Sequence, residues 1–328
     1  MPEKIRVSVG SAIVLGLING TLDAEPTTVY LLTYRPEKCA ANCGFCPQAR
    51  SSEGRADMLS RVTWPIFLTE QVVSSISSAV KTGSTRRVCI QTLNYPACID
   101  DALSIIKKIR SLVDVPISIS CQPLDQQQME RLCEAGVNRV SIPLDAATKE
   151  IFNRVKGRLA GGPYTWNTQR KALKTAVQVL GRGRVSTHLI AGLGEREQEI
   201  VQMIQWCVDL GVYPGLFSFT PIPGTALGNH PKGSLQSYRR VQLAHYLITQ
   251  RKTRFEDMKF SSEGLIADFG LSEDEIRIAI ETGSPFMTSG CPSCNRPFYN
   301  ERPGGAIYNY PRQPSSDEIA EIEKQILT

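Results

Sequence analysis

Apolar residues fall into two alternating rhythms along the chain. Short β-branched or apolar runs recur at 29–34, 87–92, 116–121, 137–142, 185–191, 215–220, 258–261 and 286–289. Runs of this length and composition predict buried strands. Between them, apolar positions return every three or four residues, the period of an amphipathic helix. Over 125–136, Met129, Leu132 and Cys133 share a face, with Asp125 and Gly136 placed as caps. Over 195–211 the stripe is Ile200, Met203, Ile204, Cys207 and Val208. Ser272 and Glu275 have capping-box spacing, and Gly283 ends that helix.

Eight strand–helix units in 328 residues match the size of a (β/α)8 TIM-type barrel, an α/β fold. A partial (β/α)6 barrel with a C-terminal extension is the alternative. The expected organisation is an N-terminal element over 1–26, the barrel over 27–290 and a C-terminal tail over 291–328. In either barrel, function sits at the C-terminal ends of the strands. In a closed barrel the first and last strands are neighbours, so the loops at 39–46 and 291–294 are expected on one rim.

Composition narrows the class. With 41% hydrophobic residues the chain can build a substantial core, and its net charge of +5 is too small to argue for nucleic acid. No stretch approaches the roughly 18–20 apolar residues of a membrane span. The apolar segment 7–18 is broken by Ser8, Gly10, Ser11 and Gly16 and has no convincing cleavage site. A cytoplasmic protein without membrane association is expected. The ten cysteines of such a chain are read as metal ligands or core residues before disulfides.

Five of them form two compact motifs. Cys39-Ala-Ala-Asn-Cys43-Gly-Phe-Cys46 puts three thiols on one loop after the first strand. Three thiolates are one fewer than close a [4Fe–4S] cluster, so one iron stays open to a small molecule. A structural zinc site fits this spacing poorly, because zinc sites usually pair C-x2-C knuckles. The second motif, Cys291-Pro-Ser-Cys294, needs two more ligands. Cys133 and Cys207 lie on apolar helix faces and read as core. Cys89, between Val88 and Ile90, points into the barrel with Gln91. Cys121 ends the third strand, and Cys98, in the loop Asn94-Tyr-Pro-Ala-Cys98 after the second strand, is its rival. The parity of Ile117 and Ile119 turns Cys121 outward unless the strand ends or bulges before it. The expected second [4Fe–4S] set is Cys89, Cys121, Cys291 and Cys294.

The C-x3-C-x2-C loop resembles the signature of the radical S-adenosylmethionine (SAM) superfamily. That resemblance implies a cluster held by Cys39, Cys43 and Cys46 with SAM at its open iron, and hydrogen-atom abstraction by a 5′-deoxyadenosyl radical. It implies that Phe45 lies against the adenine and that the 141–145 stretch, with Ser141 and Asp145, meets the ribose. It also implies that His188-Leu-Ile-Ala-Gly192-Leu-Gly194-Glu195 forms the adenine-side motif and that Pro221 opens a further family loop. His188 shares inward parity with Ser186, as either a SAM- or substrate-positioning group or a hydrogen-bonded histidine below the site. Arg50 is a candidate for the SAM carboxylate.

From Gly83 to Glu195 the order of motifs resembles biotin synthase, whose second cluster is held by three cysteines and an arginine. Here one such cysteine falls on Ser186 and the arginine falls near Lys259. The stretch Cys291-Pro-Ser-Cys294-Asn-Arg-Pro-Phe-Tyr-Asn-Glu301 instead resembles the split, two-protein lipoyl synthases. That resemblance implies sulfur insertion into an octanoyl or mercapto-octanoyl chain, with an auxiliary [4Fe–4S] cluster as the sulfur source; the alternatives are biotin-synthase-like sulfur insertion into another substrate and a radical SAM reaction that inserts no sulfur. It implies three partners: an octanoylated carrier protein or domain, a related enzyme acting in sequence, and an electron donor such as ferredoxin.

Overall fold

The computed structural model describes residues 1–301 and 304–327. Its strands are β1 (Lys4–Val7), β2 (Thr28–Thr33), β3 (Met58–Leu59), β4 (Val62–Thr63), β5 (Ile66–Leu68), β6 (Arg87–Gln91), β7 (Ile117–Ser120), β8 (Arg139–Ser141), β9 (Val185–Ala191), β10 (Val212–Ser218), β11 (Lys259–Phe260) and β12 (Ile266–Asp268). Eight of them form one sheet in the order β10-β9-β8-β7-β6-β2-β1-β5. The run from β2 to β10 is parallel, and β1 joins β2 and β5 antiparallel. This is the TIM-type α/β architecture in its partial form, with six parallel strands. Among the described residues no helix is long and apolar enough to cross a membrane.

The local rules behind these elements are visible in the chain. Strand β7 reads Ile-Ser-Ile-Ser, and its isoleucines enter the helix-side core with no exposed surface. Asp125 and Gln128 close a capping box on helix Gln126–Glu134. Ser272 and Glu275 do the same for helix Glu273–Glu281. Gly211 stops helix Glu197–Leu210 in the left-handed conformation, at φ +87°.

Two expected barrel strands are not in the sheet. The run at 258–261 contributes β11, which pairs only with β12 in a separate hairpin. The run at 286–289 is a 3₁₀ turn, Ser284–Phe286, with one isolated bridge from Met287 to Tyr310. Its apolarity has another cause: Phe286 is fully buried between helices, with Leu243, Ile276 and Ile322. A short apolar run reports burial before it reports strand.

The barrel's open side is closed by irregular chain. Residues 288–301 run between β10 and β2. Leu216 N–H donates to Ser289 Oγ (2.8 Å) and Asn300 Nδ2 to Ser218 O (2.8 Å) on one side. Thr27 N–H donates to Asn295 Oδ1 (3.0 Å) and Arg296 N–H to Tyr30 Oη (3.0 Å) on the other.

Candidate active site

Cys39, Cys43 and Cys46 line one cavity at the C-terminal ends of the strands, together with Phe45, Asp145 and His188. The loop is prepared for sulfur anions. Asn94 N–H donates to Cys39 Sγ (3.1 Å), and the backbone N–H groups of Gln48 and Ala49 point at Cys46. Burial still pushes the Cys46 thiol up to about 12, and pushes Cys43 higher against the pull of the Lys156 ammonium. A metal cluster deprotonates such thiols outright, and three thiols on one loop, two of them met by backbone N–H groups, fit a cluster bound through cysteine. Among the described residues, no three His, Cys, Asp or Glu side chains converge as around a single metal ion. A [4Fe–4S] cluster spreads its ligands over separate irons and needs a wider cradle.

Asp145 lines this cavity, at φ +67°, but it is not free. Lys156 reaches it at 2.7 Å and also donates to Pro143 O (2.6 Å), with its side chain 1% exposed. The sequence reading missed Lys156, because nothing marks a lysine eleven residues on as returning under the same strand end. His188 lines the same cavity, its ring 5.1 Å from that of Phe217. Burial brings its pKa down to about 4, so the imidazole is neutral near pH 7.

The other residues expected to meet SAM do not line this cavity. The Gly192–Glu195 turn is tied to itself: Glu195 accepts from Gly192 N–H (2.5 Å) and Leu193 N–H (3.0 Å). This holds Gly192 at φ +100°, beside a separate cleft that also contains His230 and Lys232. Pro221 lines neither cysteine cavity, although its neighbour Thr220 lines the first. Arg50 is exposed and donates to Gly161 O (3.0 Å), away from the cavity. Ser141 lies lower in the barrel, in a second cavity.

That second cavity holds the other cysteine group. Cys89 points inward from β6, and Cys291 and Cys294 come to it from the C-terminal segment. Ser118 Oγ lies 3.3 Å from Cys291 Sγ, and Tyr30 Oη lies 3.1 Å from Cys294 Sγ. Burial pushes the Cys89 thiol up to about 12 and raises Cys294 as well. Inward serines at 118, 120, 141 and 186 ring the cavity, two from β7 and one each from β8 and β9. The hydroxyls of Thr28 and Ser141 are buried there without a partner among the described residues. Three sulfurs among unpartnered hydroxyl donors fit an acceptor-rich sulfur cluster.

The expectation of a shared rim is corrected. The 291–294 loop meets the beginnings of the strands: Thr27 Oγ1 donates to Ser293 O (2.5 Å) and Arg87 Nε to Pro292 O (3.1 Å). The two cysteine groups therefore lie one above the other in the lumen. With 286–289 outside the sheet, the chain re-enters the barrel from below.

Cys121 is corrected too. It is 1% exposed in the helix-side core, and its titratable neighbour is Cys98, not Cys89. The strand parity holds to its end, so neither Cys121 nor Cys98 joins the second cavity. Replacing Cys121 or Cys98 with alanine is expected to leave the iron content of reconstituted protein unchanged by metal analysis. Lys259, at the expected arginine position, is also elsewhere: it is 78% exposed and pairs with Asp268 (3.0 Å) on the outer hairpin. Arg302 lies outside the described residues.

A family model described as the radical SAM superfamily matches residues 34–207, just over half of the chain. The chain belongs to the radical SAM superfamily. Membership implies a [4Fe–4S] cluster and SAM. Within the superfamily the chain is similar to biotin synthases. It is 25% identical over 203 residues to that of Sulfurihydrogenibium sp., a match covering 61% of this chain and 57% of that one. It is 22% identical over 285 residues to that of Acinetobacter baumannii, covering 85% and 80%. Among solved structures, methylornithine synthase (PylB) gives a TM-score of 0.53 at 15% identity, over 68% of this chain and 62% of that one. The FeFe-hydrogenase maturase HydG from Carboxydothermus hydrogenoformans gives 0.54 at 18%, over 97% and 70%. At these identities the structural likeness is one of fold. The chain spans less than two thirds of the Sulfurihydrogenibium protein and of methylornithine synthase.

Proposed function

We propose that this radical SAM protein is a sulfurtransferase acting on an acyl chain, carrying out one step of lipoyl cofactor synthesis. The observation that carries the reading is the second thiol group: Cys89, Cys291 and Cys294 share a cavity directly below that of Cys39, Cys43 and Cys46. The upper three thiols would hold the SAM-binding cluster and the lower three an auxiliary [4Fe–4S] cluster. When bound, the upper cluster and SAM would supply hydrogen-atom abstraction from an unactivated C–H, and the auxiliary cluster would supply the sulfide that bonds the resulting carbon radical, its iron taking up the one electron released.

The chain's own residues set the conditions for this. His188, Phe217 and Ser120 border both cavities, so a substrate carbon there lies between them. The neutral His188 adds a polar, uncharged contact, and Phe217 excludes water from a radical site. The Lys156–Asp145 pair keeps a carboxylate in place without adding net charge beside the upper thiols. The substrate class rests on the resemblance of residues 291–301 to the split lipoyl synthases. Partners follow from it: an octanoylated carrier domain, a related enzyme acting in sequence and a one-electron donor such as ferredoxin. The net charge of +5 suits an acidic carrier. Sulfur insertion of the biotin synthase kind into another substrate is the weaker reading, because an inward ligand position of that family carries Ser186.

The test is mass spectrometry of octanoyl-lysyl and mercapto-octanoyl-lysyl peptides incubated with reconstituted protein, SAM and reductant. A product heavier by one sulfur atom from one of the two peptides supports the reading and assigns the step. SAM cleavage with neither peptide altered overturns it.

A further inference from the structure

Arg296 is the residue the cavities share most widely. It borders the upper cavity, the lower cavity and an apolar cavity behind them that is lined by Val9, Val62 and Trp64. Its guanidinium carbon stands 3.8 Å from the ring centre of Tyr299, 5.1 Å from that of Tyr30 and 5.6 Å from that of Phe217. This aromatic cage fixes a planar cation and strips it of water. Its one side-chain contact to an amide is long, with Nη2 3.4 Å from Gln91 Oε1.

A cation so enclosed needs an anion. Asp145 in the upper cavity is already paired with Lys156, and the buried carboxylate of Glu197 with Arg240. The side chains around Arg296 are the Tyr299 and Tyr30 phenols of the cage and, in the lower cavity, Cys89 and Cys294. Cysteines bound as thiolates around a cluster would answer its charge. The backbone is also held at a cost to put it there, because Ser293 (φ +66°), Arg296 (φ +28°) and Phe298 (φ +53°) all lie on the positive side. Finally, with Cys121 and Cys98 outside the cavity, three cysteines leave one corner of a four-iron cluster without a thiolate.

We propose that Arg296 is a positioning residue for sulfur transfer: its guanidinium faces the auxiliary cluster at the partition between the two cavities and holds the anionic sulfur there toward the upper one. This rests on the two-cluster reading above, and the experiment separates the two. Arg296→Lys and Arg296→Met are made in full-length protein and reconstituted with iron and sulfide. Wild-type protein with only one cluster's iron would sink the two-cluster reading itself. With both clusters present, the auxiliary cluster of Arg296→Met is expected to reduce at a more negative potential in EPR-monitored titration, since a nearby positive charge favours the reduced form. The ratio of 5′-deoxyadenosine to thiolated product is expected to rise about tenfold or more, the scale of one lost charge-assisted contact. Arg296→Lys should recover part of both effects. An unchanged potential and ratio in Arg296→Met overturns the proposal. Loss of the auxiliary cluster in both variants also overturns it, by making Arg296 a structural support of the cluster loop.

Discussion

Replacing Cys291 and Cys294 together with alanine is expected to leave SAM cleavage running while abolishing carbon–sulfur bond formation. The iron content of reconstituted protein should fall from roughly eight to roughly four per chain, the arithmetic of losing one of two four-iron clusters. The expectation comes from the separation of the two thiol groups. Cys39, Cys43 and Cys46 are held by the 39–49 loop and by Asn94, none of which touches the 291–294 loop through a hydrogen bond. The lower thiols lean instead on Tyr30 and Ser118. Alanine at Cys39, by contrast, should stop 5′-deoxyadenosine formation as well. Chromatographic measurement of 5′-deoxyadenosine and of the thiolated peptide in the same reaction distinguishes the two patterns. If the Cys291/Cys294 variant still forms product, the lower group is structural and sulfur does not come from it.

The second large effect concerns stability. Lys156→Met should lower the unfolding free energy of the protein by about 3–5 kcal/mol, the cost of leaving a buried carboxylate without its partner. Asp145 has almost no exposed surface with which to recover hydration, at 8% of its side chain. Lys156 also donates to Pro143 O, which keeps a second donor in Gln169 Nε2 (2.6 Å). Adding Asp145→Asn to the variant should restore part of the loss, because a neutral amide tolerates burial better than an unpaired anion. Denaturant unfolding of the two single variants and the double variant gives the coupling directly. Additive losses would show that the pair contributes nothing as a pair.

Much of this architecture was legible because it is local. Alternation in Ile117-Ser-Ile-Ser120 told inward from outward, and the same parity correctly turned Cys89 into the lumen. Carried one residue further, it turned Cys121 away, and the structure follows the parity. The capping residues Asp125 and Ser272 marked their helices because a cap acts within three residues. The runs at 258–261 and 286–289 misled because burial between helices and burial in a barrel produce the same short apolar string. Arg296 stood inside a motif already singled out, yet only its aromatic surroundings distinguish it from a surface arginine.

The amino-acid sequence by itself determined the three-thiol loop, the alternating α/β build and the presence of a second cysteine pair, since each depends on spacings of a few residues. Only the tertiary structure decided what that pair meets. Six parallel strands leave the barrel open, and the C-terminal segment fills the gap from below. That return path brings Cys291 and Cys294 to Cys89 under the first cavity, and it sets Arg296 between the two. Contacts between residues some two hundred positions apart depend on which strands pair and which do not, a choice made by the packing of the whole chain.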